Sequence, residues 1–235
     1  MKNKHSLLQI ISFCLLIIFL IIGFVVINNS VMDATLRKEI MSLKKLDVSK
    51  DRYNKSLKTI GKYRVVEDTI KSYLDEFSSL VQDINGMIND EKLKKILSYD
   101  NYSSDGPEFK NSLSYIEESK KTFNEKIDKL ILLINQDNVA SEIKKKTKNK
   151  ETIKLYNELM NEVFISNEMF NNSTYYNELK TSINNTYDVS SSVLNYLISI
   201  KDLWVLEEGE IRFQTRDLYD QYMLLISSLN KKQEE

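Results

Sequence analysis

The 235-residue chain contains five glycines and one proline, and this scarcity excludes an all-β fold, which normally needs a turn residue every ~8–12 positions. Its formal net charge of −1 provides no global field that would draw the protein to nucleic acid or to an anionic membrane. The single cysteine, Cys14, and the single histidine, His5, both lie near the N-terminus, which excludes Cys–His pairs, Ser–His–Asp triads and His/Cys zinc sites from the rest of the chain.

The first element is an apolar segment, Leu7–Ile27, which consists almost entirely of Leu, Ile, Phe and Val. As a helix its ~21 residues extend about 31 Å, which matches the hydrocarbon core of a bilayer. We predict a transmembrane anchor over residues 7–27. A cleaved signal peptide is the alternative, but its apolar region is usually ~7–15 residues long, and Met32 fits poorly at position −3 of a cleavage site after Ala34. We therefore expect the anchor to be retained.

The basic residues at the two ends of this segment predict its orientation. Lys2 and Lys4 precede it, and the first basic residue after it is Arg37. Since positive charge near a membrane span is retained on the cytoplasmic side, we expect residues 1–6 in the cytoplasm and the remaining chain outside it. The predicted location is the cell membrane, with a single pass.

An amphipathic stalk helix is predicted over residues 28–60. Met32, Leu36, Ile40 and Leu43 recur at steps of three and four, which places them on one helical face. Such a stripe favours pairing with another helix in a coiled coil, either from a second copy of the chain or from a partner membrane or envelope protein.

Residues 61–235 are predicted to form an antiparallel helical bundle, so the fold class is all-α. Apolar stripes with helical spacing predict four main helices and several shorter ones. The main helices are expected at about 65–88, 109–134, 176–204 and from Thr215 onward, and the shorter ones at about 90–97, 138–150 and 153–163.

The helix predicted at about 109–134 has a clear start signal. Asp105 is expected to be its N-cap, with Pro107 in the first turn and Glu108 as the reciprocal partner of the cap. The preceding segment, residues 98–105, is predicted to be a loop. It faintly resembles a calcium loop, but the position of the bidentate glutamate is occupied by Ser112, so we expect no metal ion there.

A small β-hairpin is predicted near the C-terminus, where 204–206 and 210–213 flank the turn Glu207-Glu208-Gly209. Its aromatic residues either close the open end of the bundle or contact a partner. The candidate interaction residues are Tyr99 and Tyr102, which no helical stripe includes, together with Trp204 and Phe213.

A dense basic run occupies Lys144–Lys150. It lacks interleaved aromatic residues and a neighbouring nucleic-acid-binding motif, so we interpret it as a solvated loop and expect no nucleic-acid partner. Contact with anionic envelope polymers or lipid headgroups stays open as an alternative.

The anchor, the Asp105-Gly106-Pro107-Glu108 start and the Trp204…Gly209…Phe213 hairpin together resemble small single-pass helical proteins of low-GC Gram-positive bacteria. This resemblance covers architecture, and it implies no activity and identifies no functional residue.

The sequence favours a non-enzymatic module that acts by protein–protein contact at the cell envelope. An extracytoplasmic ligand-sensing domain that signals through a partner membrane protein is the second hypothesis. An enzyme would have to rely on carboxylate, lysine, tyrosine or hydroxyl groups, and no pair of these stands at a spacing that demands catalysis. We therefore expect neither catalytic residues nor a cofactor.

Overall fold

The computed structural model describes residues 2–48, 50, 53, 56–165, 170 and 172–230, except for the side chains of residues 2–16, 18–22, 24, 164, 165 and 230. Within this part of the chain the fold is mostly helical with a small antiparallel hairpin near the C-terminus, as predicted. The elements are α1 (Lys2–Leu43), α2 (Gly61–Ile88), α3 (Glu91–Lys94), α4 (Tyr99–Asp105), α5 (Lys110–Leu133), α6 (Gln136–Lys146), α7 (Lys150–Ile165), α8 (Ser173–Ser199), β1 (Trp204–Glu207), β2 (Glu210–Phe213) and α9 (Arg216–Asn230).

The chain divides into two compact units. Unit 1 comprises residues 1–47, 53–75 and 140–167, and unit 2 comprises residues 48–52, 76–139 and 168–235. The predicted boundary at residue 60 therefore falls inside unit 1, because the residues on both sides of it pack into the same unit.

Helix α1 extends without interruption through the segment predicted to be the membrane anchor. At 42 residues it is about 63 Å long. Most side chains of residues 7–27 lie outside the described part of the structure, so the anchor stays a prediction. In the part that is described, we find no helix with the length and apolar character that a membrane crossing requires.

The predicted stalk helix ends earlier than expected. Helix α1 stops at Leu43, and the described residues between 44 and 60 form turns, a bend and chain without regular secondary structure. The last turn is tightened by hydrogen bonds from Lys45 N to Ser42 O and from Leu46 N to Leu43 O, at 3.3 and 3.1 Å. Two of the residues that follow, Val48 and Tyr53, are buried.

The apolar stripe of the stalk is already covered by this chain. Leu36 and Ile40 are 0% exposed and Leu43 is 4% exposed. Arg37 on the same part of α1 pairs with Glu158 of α7 at 2.8 Å, so an ion pair links α1 to α7 within unit 1. A helix from another chain would therefore have to bind a different face of α1. Pairing of the stalk with another helix stays a prediction, but this stripe cannot be the surface that pairs.

In unit 2, α5 packs antiparallel to α8. Lys120 pairs with Asp188, and Lys180 pairs with Asp128, so partner numbers fall along α8 as they rise along α5. Between these ion pairs the amides of Asn124 exchange two hydrogen bonds with Asn184 at 2.8 and 2.9 Å. The predicted antiparallel arrangement is therefore present in this helix pair.

The segment predicted to be a loop before α5 is the short helix α4. The Ser98 hydroxyl caps it by accepting a hydrogen bond from Asn101 N at 3.3 Å. Tyr102 provides its buried side chain. The amide of Asn101 donates to Ile96 O at 2.7 Å and to Ser112 Oγ at 3.0 Å, so helix packing, and not a calcium loop, accounts for this residue.

The predicted start of the helix at about 109–134 is correct in part. Helix α5 begins at Lys110, three residues after Pro107, because Phe109 takes the N-cap position with a left-handed φ of 46° and a fully buried ring. The carboxylate of Asp105 still caps the helix by accepting Ser112 N at 2.7 Å. Glu108 forms an ion pair with Lys201 at 3.1 Å instead of a reciprocal cap.

The predicted hairpin is confirmed. Trp204 pairs with Phe213, and Glu207 pairs with Glu210. The two turn residues, Glu208 and Gly209, have φ of 51° and 86°, as a two-residue type I′ turn requires.

The basic run is partly helical. Lys144–Lys146 form the last turn of α6, where their charge complements the helix dipole. Lys146 pairs with Asp68 at 2.6 Å within unit 1.

Candidate functional site

Three of the four candidate interaction residues lie in one aromatic cluster of unit 2. Tyr102 packs edge-on against Phe109 at 5.6 Å between ring centroids, and Phe109 stacks on Trp204 at 6.2 Å. Phe213 contacts Tyr222 of α9 at 5.2 Å. The hydroxyl groups of Tyr102 and Tyr222 share a hydrogen bond of 3.1 Å, which joins the α4 side of the cluster to α9.

These rings are mostly core residues. Tyr102 is 3% exposed and Trp204 is 8% exposed, and the indole Nε1 donates to Leu197 O at 2.9 Å. Phe213 is half-buried, and Tyr99 is 37% exposed on α4. The cluster therefore fits the interpretation in which the hairpin closes the bundle better than it fits four residues that contact a partner.

The buried phenol of Tyr102 has no acid–base role at ordinary pH. Burial, together with Tyr222, raises the pKa of Tyr102 far above its usual value. Its hydroxyl stays protonated and contributes a hydrogen bond.

An exposed apolar surface lies beside this cluster on α9. We define the α9 surface by Tyr219, Met223 and Leu224, whose exposed fractions are 40%, 40% and 66%. Tyr219 contacts Phe213 at 6.3 Å between ring centroids, so the surface adjoins the hairpin. Sequence reasoning missed it because the inward stripe, with buried Tyr222, already accounted for one face of α9. The sequence signal for this surface is the run Tyr222–Ile226. Five consecutive apolar residues cannot all lie on the inward face of a helix, so some of them are expected on its outward face.

An open cleft of about 600 Å³ lies between α2 and α5 in unit 2. Its acidic residues include Asp83, which pairs with Lys126 at 2.7 Å, and Asp90, which accepts a hydrogen bond from the Tyr115 hydroxyl at 2.7 Å. The remaining lining residues are Gln82, Gly86, Met87, Glu118, Ser119 and Thr122. Most of the side chains that line the cleft carry a polar or charged group.

The phenol of Tyr115 is a hydrogen-bond donor in this cleft. Burial, together with the hydrogen bond to Asp90, raises the pKa of Tyr115 to about 12. The same hydrogen bond lowers the pKa of Asp90 below its usual value. Asp90 is therefore an anion and Tyr115 is neutral at physiological pH, so neither is poised to exchange a proton.

Unit 1 contains a buried ion cluster that the sequence did not indicate. Glu39 of α1 and Glu67 and Lys71 of α2 form ion pairs of 2.8 Å, and their side chains are 8%, 0% and 2% exposed. Across the described residues, no group of three or more His, Cys, Asp or Glu side chains is placed to hold a metal ion.

Comparison with family models, with curated proteins and with solved structures finds no match for this chain.

Proposed function

We propose that this protein is a membrane-anchored, non-enzymatic helical module that acts by contact with another envelope protein. The observation that carries the proposal is the α9 surface, an apolar helical face that the chain leaves exposed. Tyr219 and Met223 are one helical turn apart, which is the spacing with which a helix packs against a partner helix. The occupant we propose is an apolar helical segment of the partner.

The membrane part of the proposal is supported by the sequence of Leu7–Ile27 and by the path of α1. The described apolar residues at the end of this segment, Val25, Val26 and Ile27, are 50–66% exposed, and Val31 is 51% exposed. The same helix then enters the core of unit 1 at Leu36. An apolar helix that is uncovered at one end and packed at the other is suited to a bilayer on the uncovered side.

Photo-crosslinking in cells tests the contact. A photoreactive phenylalanine analogue at Leu224 should yield a discrete crosslinked product that mass spectrometry identifies as an envelope protein. The same analogue at Leu132, which is 63% exposed on α5, is the matched control and should yield none.

Adding Met223→Lys to the Leu224 probe should abolish the product, because a charge would have to be buried in the contact. A product made of two copies of this chain would contradict the proposed partner protein and show that the α9 surface mediates self-association. Equal products from Leu224 and Leu132 would contradict the proposal.

A ligand-sensing role is the second candidate, and the α2–α5 cleft is the observation that favours it. Gly86 lines this cleft in the interior of α2, and a methyl group built on it would meet nothing within 4 Å. A panel of small cations and zwitterions should then include a compound that raises the Tm of the detergent-solubilised chain. Gly86→Leu, which fills the cleft, should abolish that shift, and a shift that persists in this variant would exclude the cleft as the site.

A further inference from the structure

The ion cluster of unit 1 is centred on Lys71. Its ammonium group donates to Glu67 Oε1 at 2.8 Å and to Ser56 O at 2.6 Å, and it pairs with Glu39 Oε1 at 2.8 Å. Three acceptors therefore satisfy all three hydrogens of a lysine that is almost fully buried. Because the three acceptors come from α1, from α2 and from the segment between them, Lys71 joins all three at one point.

The carboxylate of Glu67 holds the other end of the cluster. It accepts hydrogen bonds from Lys58 N at 3.0 Å, from Thr59 N at 2.9 Å and from Thr59 Oγ1 at 2.7 Å. The backbone N–H groups of residues 58 and 59 thus bind the side chain of Glu67, and not the backbone of a helix or a strand. Its order depends on the ion cluster.

Glu39 is the part of the cluster that α1 contributes. Its second carboxylate oxygen accepts a hydrogen bond from Lys58 Nζ at 2.6 Å, so Glu39 contacts both the buried lysine and the segment before α2. A displacement of α1 by one residue is a shift of about 1.5 Å with a rotation of about 100°. That displacement would withdraw Glu39 from Lys71 and leave a buried charge without one of its partners.

We propose that the Glu39–Glu67–Lys71 cluster is a latch that couples the setting of α1 to the order of residues 56–59. Release of Glu39 loosens Lys71, which then holds Ser56 O and Glu67 less firmly, and Glu67 in turn releases the N–H groups of residues 58 and 59. A force that rotates or shifts α1 is by this route converted into a change in a segment that includes the Lys58 side chain, which is 54% exposed. The latch concerns unit 1 alone and does not depend on the proposed contact of α9.

Hydrogen exchange on the full detergent-solubilised chain tests the latch. Glu39→Gln removes the charge that α1 contributes while keeping the shape of the side chain. We expect the amide hydrogens of Lys58 and Thr59 to exchange about tenfold faster or more in this variant. The reason is that the charge-assisted contact between Lys71 and residue 39 is weakened, and with it the hold of the cluster on the two amides. The amides of α7 should keep the rates of the unchanged protein.

Arg37→Gln is the matched control. It removes charge interactions from the same turn of α1, since Arg37 pairs with Asp33, Glu158 and Glu162, and none of these residues belongs to the cluster. It should leave the exchange of residues 58 and 59 unchanged.

Glu39→Asp shortens the side chain by one methylene group and retains the charge, so it should give a smaller acceleration at the same two amides. Unchanged exchange at residues 58 and 59 in Glu39→Gln would overturn the proposal. Equal acceleration of α7 and residues 58 and 59 would also overturn it, because that pattern indicates a general loss of stability. The purified chain contains no partner, so failure of the α9 crosslink leaves this result intact.

Discussion

Glu67 and Lys71 stand four residues apart on α2, a spacing that usually marks an ion pair on a solvated helix face. Here they are among the most buried side chains of unit 1, because Glu39 and the segment at residues 56–59 cover them. Local spacing is the same for an exposed and a buried pair. The difference between them depends on residues that are far away in the chain, so the sequence did not indicate the cluster.

At this scale we expect the Tm to fall as the pH is lowered below about 4.5. Burial by itself would raise the pKa of Glu39 and of Glu67, but their hydrogen bonds to Lys71 and its neighbours outweigh it and hold both pKa values below the usual 4.5. A carboxylate whose pKa is lower in the folded than in the unfolded state stabilises the fold above the unfolded value. That stabilisation is lost as the pH falls through the folded value.

Circular dichroism melts between about pH 7 and about pH 3 measure this dependence. Glu39→Gln should make the acid limb of the Tm curve shallower. Glu125→Gln, a change on the exposed face of α5, should leave the limb as it is. A steep acid limb that is identical in all three proteins would show that other carboxylates control it.

At the scale of elements, the helical stripes and the hairpin were predictable because their signals are local. The alternation of three and four residues in α2 and the Glu208-Gly209 turn depend only on neighbouring positions. Helix α4 was missed because it buries only one side chain, that of Tyr102, whose partners Phe109 and Tyr222 come later in the chain.

Two glycines should respond to alanine in opposite directions. Gly86→Ala should stabilise the protein by about 0.5–1 kcal/mol, since alanine is the better helix former and a methyl group at this position meets nothing within 4 Å. Gly106→Ala should destabilise it by about 1–3 kcal/mol, because the added carbon would overlap the carbonyl oxygen of Tyr102. Urea unfolding of both variants measures the change, and shifts of the same sign would contradict this account.

At the scale of the whole molecule, the net charge of −1 gives no general attraction to a membrane surface, so the proposed location depends on the segment Leu7–Ile27 and its flanking charges. The orientation of this segment has a direct test.

Alkaline phosphatase fused after Glu235 should be active, because this enzyme folds only after export and the proposed orientation places the C-terminus outside the cytoplasm. The matched variant moves the charges: Lys2 and Lys4 become Asn, and Asn28 and Asn29 become Lys. It should lower the phosphatase activity by favouring the opposite orientation. An inactive fusion in the unchanged chain would contradict the proposed topology.

The sequence by itself determined the properties that depend on near neighbours: the all-α class, the apolar segment, the hairpin and the main helices. The tertiary structure decided where α1 ends, which aromatic residues are core and which charges are buried. Tyr102 and Trp204 were candidate contact residues from the sequence. In the structure Trp204 stacks on Phe109, and Tyr102 shares a hydrogen bond with Tyr222. The physical reason is that burial is a property of pairs of segments distant in the chain, which a periodic pattern in one segment does not contain.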